Sequence, residues 1–144
     1  DSKGGWSDND GSCVIKISDG RFSMLLPGDI EQKAEHALLS LPEVSQALTS
    51  NIILAPHHGS KTSSSTAFIE QVKSQFVVFS QGWLNRWGFP HQQVVKLYQN
   101  VGSQALLVSE SGYLRFDITG NGISTYAYRE REHSRWYHKT FVKQ

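Results

Sequence analysis

Short apolar runs that alternate with segments of helical periodicity constrain the fold of this chain more than any other feature. The apolar runs predict strands at 13–17, 22–26, 52–55, 76–80, 105–108, 113–118 and 122–128. Apolar residues at helical spacing predict helices over about 31–40, 66–73 and 91–101. Strands that alternate with helices are typical of a layered α/β domain. The turn-forming sequence Glu110-Ser111-Gly112 further predicts that strand 105–108 pairs with strand 113–118.

Size and composition indicate a globular protein without a strong overall charge. The 144 residues suit one domain or part of a larger one, and 38% hydrophobic with 19% charged residues is typical of folded proteins. A formal net charge of +1 excludes a strong general attraction for nucleic acid, so polyanion binding would need a local patch. The single cysteine, Cys13, excludes an internal disulfide, and its apolar surroundings predict a buried thiol. No apolar run approaches the roughly 20 residues of a membrane span, so we expect a soluble domain.

Ligand-type side chains follow two of the predicted strands. Strand 22–26 is followed by Asp29, and strand 52–55 is followed by the pair His57-His58. Carboxylate and imidazole groups are ligands for zinc, manganese and iron, and the end of a buried strand holds such groups in place at an accessible loop. An aspartate before a helix is also a common N-cap, and a histidine pair in a turn is commonly solvated. The residues alone therefore leave both interpretations open.

Four blocks along the chain occur in an order that is much more specific than any one of them. They are NDGSCV at 9–14, LLPGDIE at 25–31, LAPHHGSKTSSS at 54–65, and SQG followed by NRWGFPH within 80–91. In this order they resemble the metallo-β-lactamase-like domain of ComEC-family DNA-uptake proteins, over about 9–117. The resemblance implies an α/β fold that is half of a metallo-β-lactamase-like αββα sandwich.

The same resemblance implies a two-metal hydrolase site. In that superfamily an aspartate after a strand bridges the metals and a later histidine binds one of them, which implies that Asp29 and His58 are metal ligands. Asp29 then has a catalytic role as the bridging ligand. His57 is the second catalytic candidate, beside the metal or in contact with substrate, and the roles of the two histidines are interchangeable at this stage. The implied cofactor is a divalent metal, zinc or manganese, that activates water for attack on a phosphodiester.

Hydroxyl and cationic side chains near these positions are candidates for binding phosphate oxygens. The candidate substrate-binding residues are Ser60, Lys61, Ser63, Ser64 and Arg86. Lys61 is equally interpretable as a solvated surface charge. Trp83 and Trp87 are candidates for stacking on bases, although tryptophans that pack a loop onto the core give the same pattern.

The early His-x-His-x-Asp-His motif of the superfamily is absent from the sequence. We therefore expect residues 1–128 to be the C-terminal portion of a larger metallo-β-lactamase-like domain, followed by a basic and aromatic tail at 129–144. Such a fragment has too few ligands for a tight metal site, so we expect weak or absent metal binding and no activity by itself. Its natural partner would be the missing N-terminal half, and exposed sheet edges would favour self-association.

Three functions are compatible with the sequence. The resemblance implies a nuclease-like domain of a bacterial inner-membrane competence protein, in which the domain degrades the non-transported strand while the parent membrane channel passes the other. Single-stranded DNA is then the partner, and the sequence does not indicate on which side of the membrane the domain lies. A second possibility is a non-catalytic module that guides DNA in the same protein. The third is a hydrolase of small phosphoesters, because a fold does not fix a substrate.

Overall fold

A mixed five-stranded sheet forms the centre of the protein. The computed structural model describes residues 5–131. The strands of this sheet are β1 (Ile15–Ser18), β2 (Ser23–Leu26), β3 (Ile52–Leu54), β4 (Phe76–Phe79) and β5 (Gln104–Leu107). They lie side by side in sequence order, with β1 antiparallel to β2 and all the other pairs parallel. A two-stranded antiparallel sheet follows, made of β6 (Leu114–Thr119) and β7 (Gly122–Ala127).

The helices lie between the strands, as the alternating pattern predicts. They are α1 (Gln32–Ser40), α2 (Pro42–Ala47), α3 (Thr66–Val72), α4 (Gln92–Asn100), α5 (Val108–Ser111) and α6 (Tyr128–Arg131). The fold class is therefore α/β. The short helix α2 is not anticipated from the sequence, although Pro42 stands at its first turn, where the missing N–H of proline costs nothing. No helix among the described residues is long and apolar enough to cross a membrane.

The central sheet has two apolar faces because successive side chains along a strand point to opposite sides. Leu25, Ile53 and Val77 share one face, and they pack with residues of α1, α3 and α4 in the main core. On the opposite face, Ile52 and Phe76 pack with the β6–β7 hairpin. The hairpin covers only part of this second face.

The uncovered part lies at the β1 edge of the sheet. Ile15 and Ile17 of β1 are 52% and 58% exposed. A mostly apolar cavity of about 530 Å³ opens between this edge and β6, with Met24 and Phe116 among its lining residues. The second face of the sheet is thus an incompletely covered apolar surface.

Two expectations from the sequence are wrong. Strand β5 does not form a hairpin with β6. It pairs in parallel with β4, because the residues after Leu107 form the helical turn α5 and Gly112, at φ 74°, redirects the chain. Cys13 is exposed, because it precedes the edge strand β1 and does not lie inside the sheet.

Candidate functional site

Parallel strands bring Asp29 and His58 together at one edge of the central sheet. Asp29 follows β2 and His58 follows β3, and these strands pair in parallel with Leu25 opposite Ile53. The carboxyl ends of neighbouring parallel strands meet at the same edge, which is where ligands bind in open α/β sheets. Nε2 of His58 lies 3.6 Å from Oδ1 of Asp29, and both side chains are about half exposed. A carboxylate and an imidazole are thus adjacent and accessible.

The backbone around Asp29 is fixed by contacts with distant segments. The N–H of Asp29 donates a hydrogen bond to Oγ of Ser12 (3.2 Å), and the N–H of His57 donates to the carbonyl of Gly28 (3.1 Å). Gly28 has φ +65°, and a Cβ there would lie 2.9 Å from Cβ of Ser12. Glycine is required because both the backbone angle and the close approach exclude a side chain.

His57 and His58 occupy an unusual backbone conformation. They have φ values of 47° and 54°, in the left-handed region that non-glycine residues rarely adopt. The following Gly59 packs so tightly that a Cβ would lie 2.6 Å from Cβ of Pro90. Strained backbone of this kind is maintained only where the surrounding structure holds it, and it concentrates at functional sites.

The two histidines face different partners. Nδ1 of His57 lies 3.3 Å from Oε1 of Glu31 and 3.3 Å from Oγ1 of Thr62, and Thr62 donates to the same Glu31 oxygen at 2.8 Å. His58 is the histidine beside Asp29, and its Nδ1 lies 3.5 Å from Oγ of Ser80, directly after β4. Glu31, Thr62 and Ser80 were not among the residues predicted from the sequence, although all three stand inside the resembling blocks.

The predicted phosphate-binding serines lie in a loop that hydrogen-bonds within itself. Ser63 is buried, and its hydroxyl donates to the carbonyls of Pro56 (2.9 Å) and Ser60 (3.1 Å). The hydroxyl of Ser60 is 3.1 Å from that of Thr62. Lys61 is exposed at the tip of the same loop. The hydroxyls of Ser60 and Ser63 therefore stabilise the loop that carries the histidines.

A buried carboxylate anchors the far end of this loop. Glu35 of α1 is fully buried and accepts hydrogen bonds from the backbone N–H groups of Ser64 and Ser65. The Ser64 hydroxyl lies 3.3 Å from the hydroxyl of the buried Tyr98. Burial raises the pKa of Tyr98 and outweighs the hydrogen bond with Ser64, which lowers this pKa. The nearby Glu35 raises the pKa further. Ser64 is thus 1% exposed and held from both sides.

The loop 81–90 carries a row of rings toward the histidines. The Arg86 guanidinium lies over the Trp87 ring at 4.3 Å, and Trp87 stacks on Phe89 with ring centroids 6.3 Å apart and planes 16° apart. Phe89 contacts the ring of His57 edge-on at 5.7 Å and that of His91 at 5.4 Å. Arg86 is therefore connected to the site through rings and shows no direct contact with Asp29 or His58.

Two side chains of metal-ligand type stand at this position. Asp29 and His58 are donor types that zinc and manganese accept, and both are accessible at the strand ends. Within residues 5–131, no group of three histidine, cysteine, aspartate or glutamate side chains could hold a metal ion. Catalytic zinc sites use three protein ligands and a water molecule. Asp29 and His58 therefore fit the chemistry of a metal site as two adjacent side chains of ligand type.

Similar proteins were found among curated sequences, whereas no family model matches the chain. The chain is 36% identical over 133 residues to the protein YcaI of Escherichia coli, covering 92% of this chain and 17% of that protein. It is 34% identical over 113 residues to Recombination protein 2 of Haemophilus influenzae, covering 78% of this chain and 14% of that protein. It is 32% identical over 116 residues to Competence protein ComA of Neisseria gonorrhoeae, covering 81% of this chain and 16% of that protein. The chain thus spans about a sixth of the length of these relatives.

Proposed function

We propose that this chain is part of a metallo-β-lactamase-like, metal-dependent hydrolase domain of a bacterial DNA-uptake protein that acts in natural transformation. Similarity to proteins named for competence and recombination supports the biological role. The observation that carries the chemical part is the pair formed by Asp29 and His58, 3.6 Å apart at two neighbouring strand ends. The parent protein is then a membrane channel of the bacterial inner membrane.

The uncovered apolar face supports the sandwich architecture. Helices cover one face of the central sheet, and the β6–β7 hairpin begins a second sheet on the other. The exposed Ile15 and Ile17 and the cavity of about 530 Å³ beside them leave room for further strands. In this proposal the N-terminal half of the domain packs on this face, since apolar surface of this kind is stabilised by burial.

The metal in this proposal is zinc or manganese, held by Asp29 and His58 together with donors from residues outside the described part of the chain. When bound, a divalent ion lowers the pKa of its water and neutralises charge on a phosphoryl group. The chain itself orients the donors. Ser80 lies 3.5 Å from Nδ1 of His58, so that Nε2, the nitrogen that faces Asp29, is the one left for a ligand.

His57 is suited to moving a proton beside the metal ligands. Its Nδ1 lies 3.3 Å from the Glu31 carboxylate, which favours the tautomer with the proton on Nδ1. The free Nε2 then accepts a proton or contacts the substrate, and Glu31 plays the orienting part that an acidic residue plays beside a catalytic histidine. Lys61 and Arg86 are the exposed cations that would meet phosphate oxygens. The substrate in this proposal is the non-transported DNA strand.

A second candidate is a module that guides single-stranded DNA without cleaving it. The exposed Arg86 and Trp87 favour this function, because a cation and an exposed aromatic ring bind a strand whether or not chemistry follows. Both candidates predict DNA binding, and only the hydrolase predicts metal-dependent cleavage that requires Asp29.

The test is whether the full-length protein that contains this sequence cleaves end-labelled single-stranded DNA with and without manganese. Asp29→Asn removes one of the donors and is expected to abolish cleavage while binding of the strand persists. Asp117→Asn is the matched control, since Asp117 has the same 47% side-chain exposure as Asp29 and lies in β6, where it pairs with Arg115. Cleavage that survives Asp29→Asn would refute a hydrolase site built on Asp29. A folded and metal-loaded protein that never cleaves would refute the hydrolase and favour the guiding module.

A further inference from the structure

Two large apolar side chains stand out from the loop 81–90 although its backbone is well held. Leu84 is 77% exposed and Trp87 is 59% exposed. Asn85 fixes the loop: its Nδ2 donates to the carbonyl of Phe89 (2.7 Å), and its Oδ1 accepts from the N–H of Phe89 (2.9 Å). The loop is therefore organised in a way that displays these side chains to solvent.

Burial does not account for the position of Trp87. A tryptophan that serves only to pack a loop onto the core buries most of its ring, because burial is the source of its stabilising free energy. The Trp87 ring instead stacks on the half-buried ring of Phe89, with an angle of 16° between the two ring planes. The Arg86 guanidinium lies over the same ring, 4.3 Å from its centroid, so the planar guanidinium and the ring together form one positively charged, exposed surface.

The supporting rings connect this surface to the candidate site. Phe89, beneath Trp87, contacts the ring of His57 at 5.7 Å, and His57 is the direct neighbour of His58. A ligand on the outer ring thus lies two ring contacts from His57, the residue next to His58 in the chain. An indole and a guanidinium are the groups on which proteins stack unpaired bases, while positive charge attracts the phosphates between them.

We infer that Trp87, with Arg86, is a stacking platform for an unpaired nucleobase, which positions a single strand with its phosphate toward Asp29 and His58. The inference rests on the proposed function for the class of ligand, a single-stranded nucleic acid. It assigns Trp87 a role in binding and positioning and none in the chemical step. Paired bases are already stacked on each other, so the platform selects single strands over duplex DNA.

Binding of DNA to the full-length protein that contains this sequence is measured by fluorescence anisotropy, with a chelator present so that no DNA is cleaved. The two probes are an oligothymidylate and an oligomer of the same length that consists of abasic sites. Trp87→Ala is expected to weaken oligothymidylate binding about 5- to 150-fold, the effect of losing one base stack. Binding of the abasic probe should not change, since it has phosphates and no bases. Trp87→Phe should retain most of the affinity.

The matched control is Trp6→Ala. Trp6 is also exposed, at 42%, and also pairs with a cation, Lys33, at 5.1 Å, so it reproduces the chemistry at another place. Its removal should leave binding of both probes unchanged. Equal loss for both probes in Trp87→Ala, no loss for either, or no binding by the unaltered protein would each overturn the inference.

The inference and the proposed function fail separately. Asp29→Asn is expected to keep Trp87-dependent binding while cleavage is lost. If the protein never cleaves DNA but discriminates the two probes through Trp87, the platform stands and the hydrolase falls. If cleavage depends on Asp29 while Trp87→Ala binds both probes normally, the hydrolase stands and the platform falls.

Discussion

Replacing Gly59 with alanine should destabilise the protein more than adding a methyl group at any other position of this site. The new Cβ would lie 2.6 Å from Cβ of Pro90 and 2.9 Å from the Phe79 ring, where carbon atoms normally stay 3.5–4.0 Å apart. The backbone adds a second cost, because Gly59 has φ +86° and a left-handed conformation costs an alanine about 1–2 kcal/mol. Overpacking typically costs about 1–3 kcal/mol. The two effects together predict a loss of about 2–5 kcal/mol in the free energy of unfolding.

Urea denaturation followed by circular dichroism measures this loss. With a typical slope for a small protein, the urea midpoint of Gly59→Ala should fall by roughly 1 M or more. Gly120→Ala is the control, because a Cβ there meets nothing within 4 Å and its φ lies outside the left-handed region. Its free energy of unfolding should stay within about 0.5 kcal/mol of that of the unaltered protein. Equal midpoints for the two variants would refute the close packing of Gly59 against Pro90 and Phe79.

Three further predictions follow from the contacts that hold the site. Glu35→Ala should destabilise the protein by about 2–5 kcal/mol, because it leaves two buried backbone N–H groups without acceptors, whereas the exposed Glu70→Ala should have little effect in the same denaturation experiment. Desolvation raises the pKa of Asp10, but hydrogen bonds with the N–H of Glu31, with Ser7 and with the N–H of Ala34 outweigh it and lower this pKa below its usual value. Because the pKa of Asp10 is lower in the folded protein, its carboxylate contributes stability above about pH 4, and this contribution is lost as the pH falls through the lowered value. Asp10→Asn should therefore reduce the free energy of unfolding at neutral pH and change it little in acid. A difference between the two proteins that does not depend on pH would contradict this. Asn85→Ala removes two hydrogen bonds to the backbone of Phe89, so amide exchange of the loop 81–90 should speed up at least about fivefold, and unchanged protection would show that other contacts hold the loop.

The strands could be located from the sequence because each is a short, continuous apolar run. The segments 22–26, 52–55 and 76–80 correspond to β2, β3 and β4 within one or two residues. Their partners were harder to predict. A local turn signal at 110–112 favoured a hairpin, but pairing of β5 with β4 depends on contacts between segments that are distant along the chain. Local sequence carries little information on such contacts.

The candidate site shows the same division. The adjacency of Asp29 and His58 follows from the rule that strand ends meet, and the structure has them 3.6 Å apart. The Glu31 contact of His57 could not be foreseen, because it depends on where α1 begins relative to a strained turn. Ser63 looked like a phosphate donor because sequence does not reveal burial. Its hydroxyl is engaged with the backbone, and its contact with phosphate stays a prediction, as do those of the other candidates.

The basic and aromatic tail predicted for 129–144 falls almost entirely beyond residue 131 and so lies outside the described residues. At the start of the tail, the Arg129 guanidinium donates a hydrogen bond to the carbonyl of Ser109 at 2.6 Å. This contact stabilises the start of the tail against α5.

The most direct test of the central claim is to locate manganese on this chain by nuclear magnetic resonance. Paramagnetic broadening detects even weak occupancy, which is what two donors predict. We expect low manganese concentrations to broaden the resonances of Asp29 and His58 first. Asp29→Asn should abolish this broadening, whereas Asp117→Asn should not. Broadening centred elsewhere, or unchanged by Asp29→Asn, would contradict a metal site at the carboxyl ends of β2 and β3.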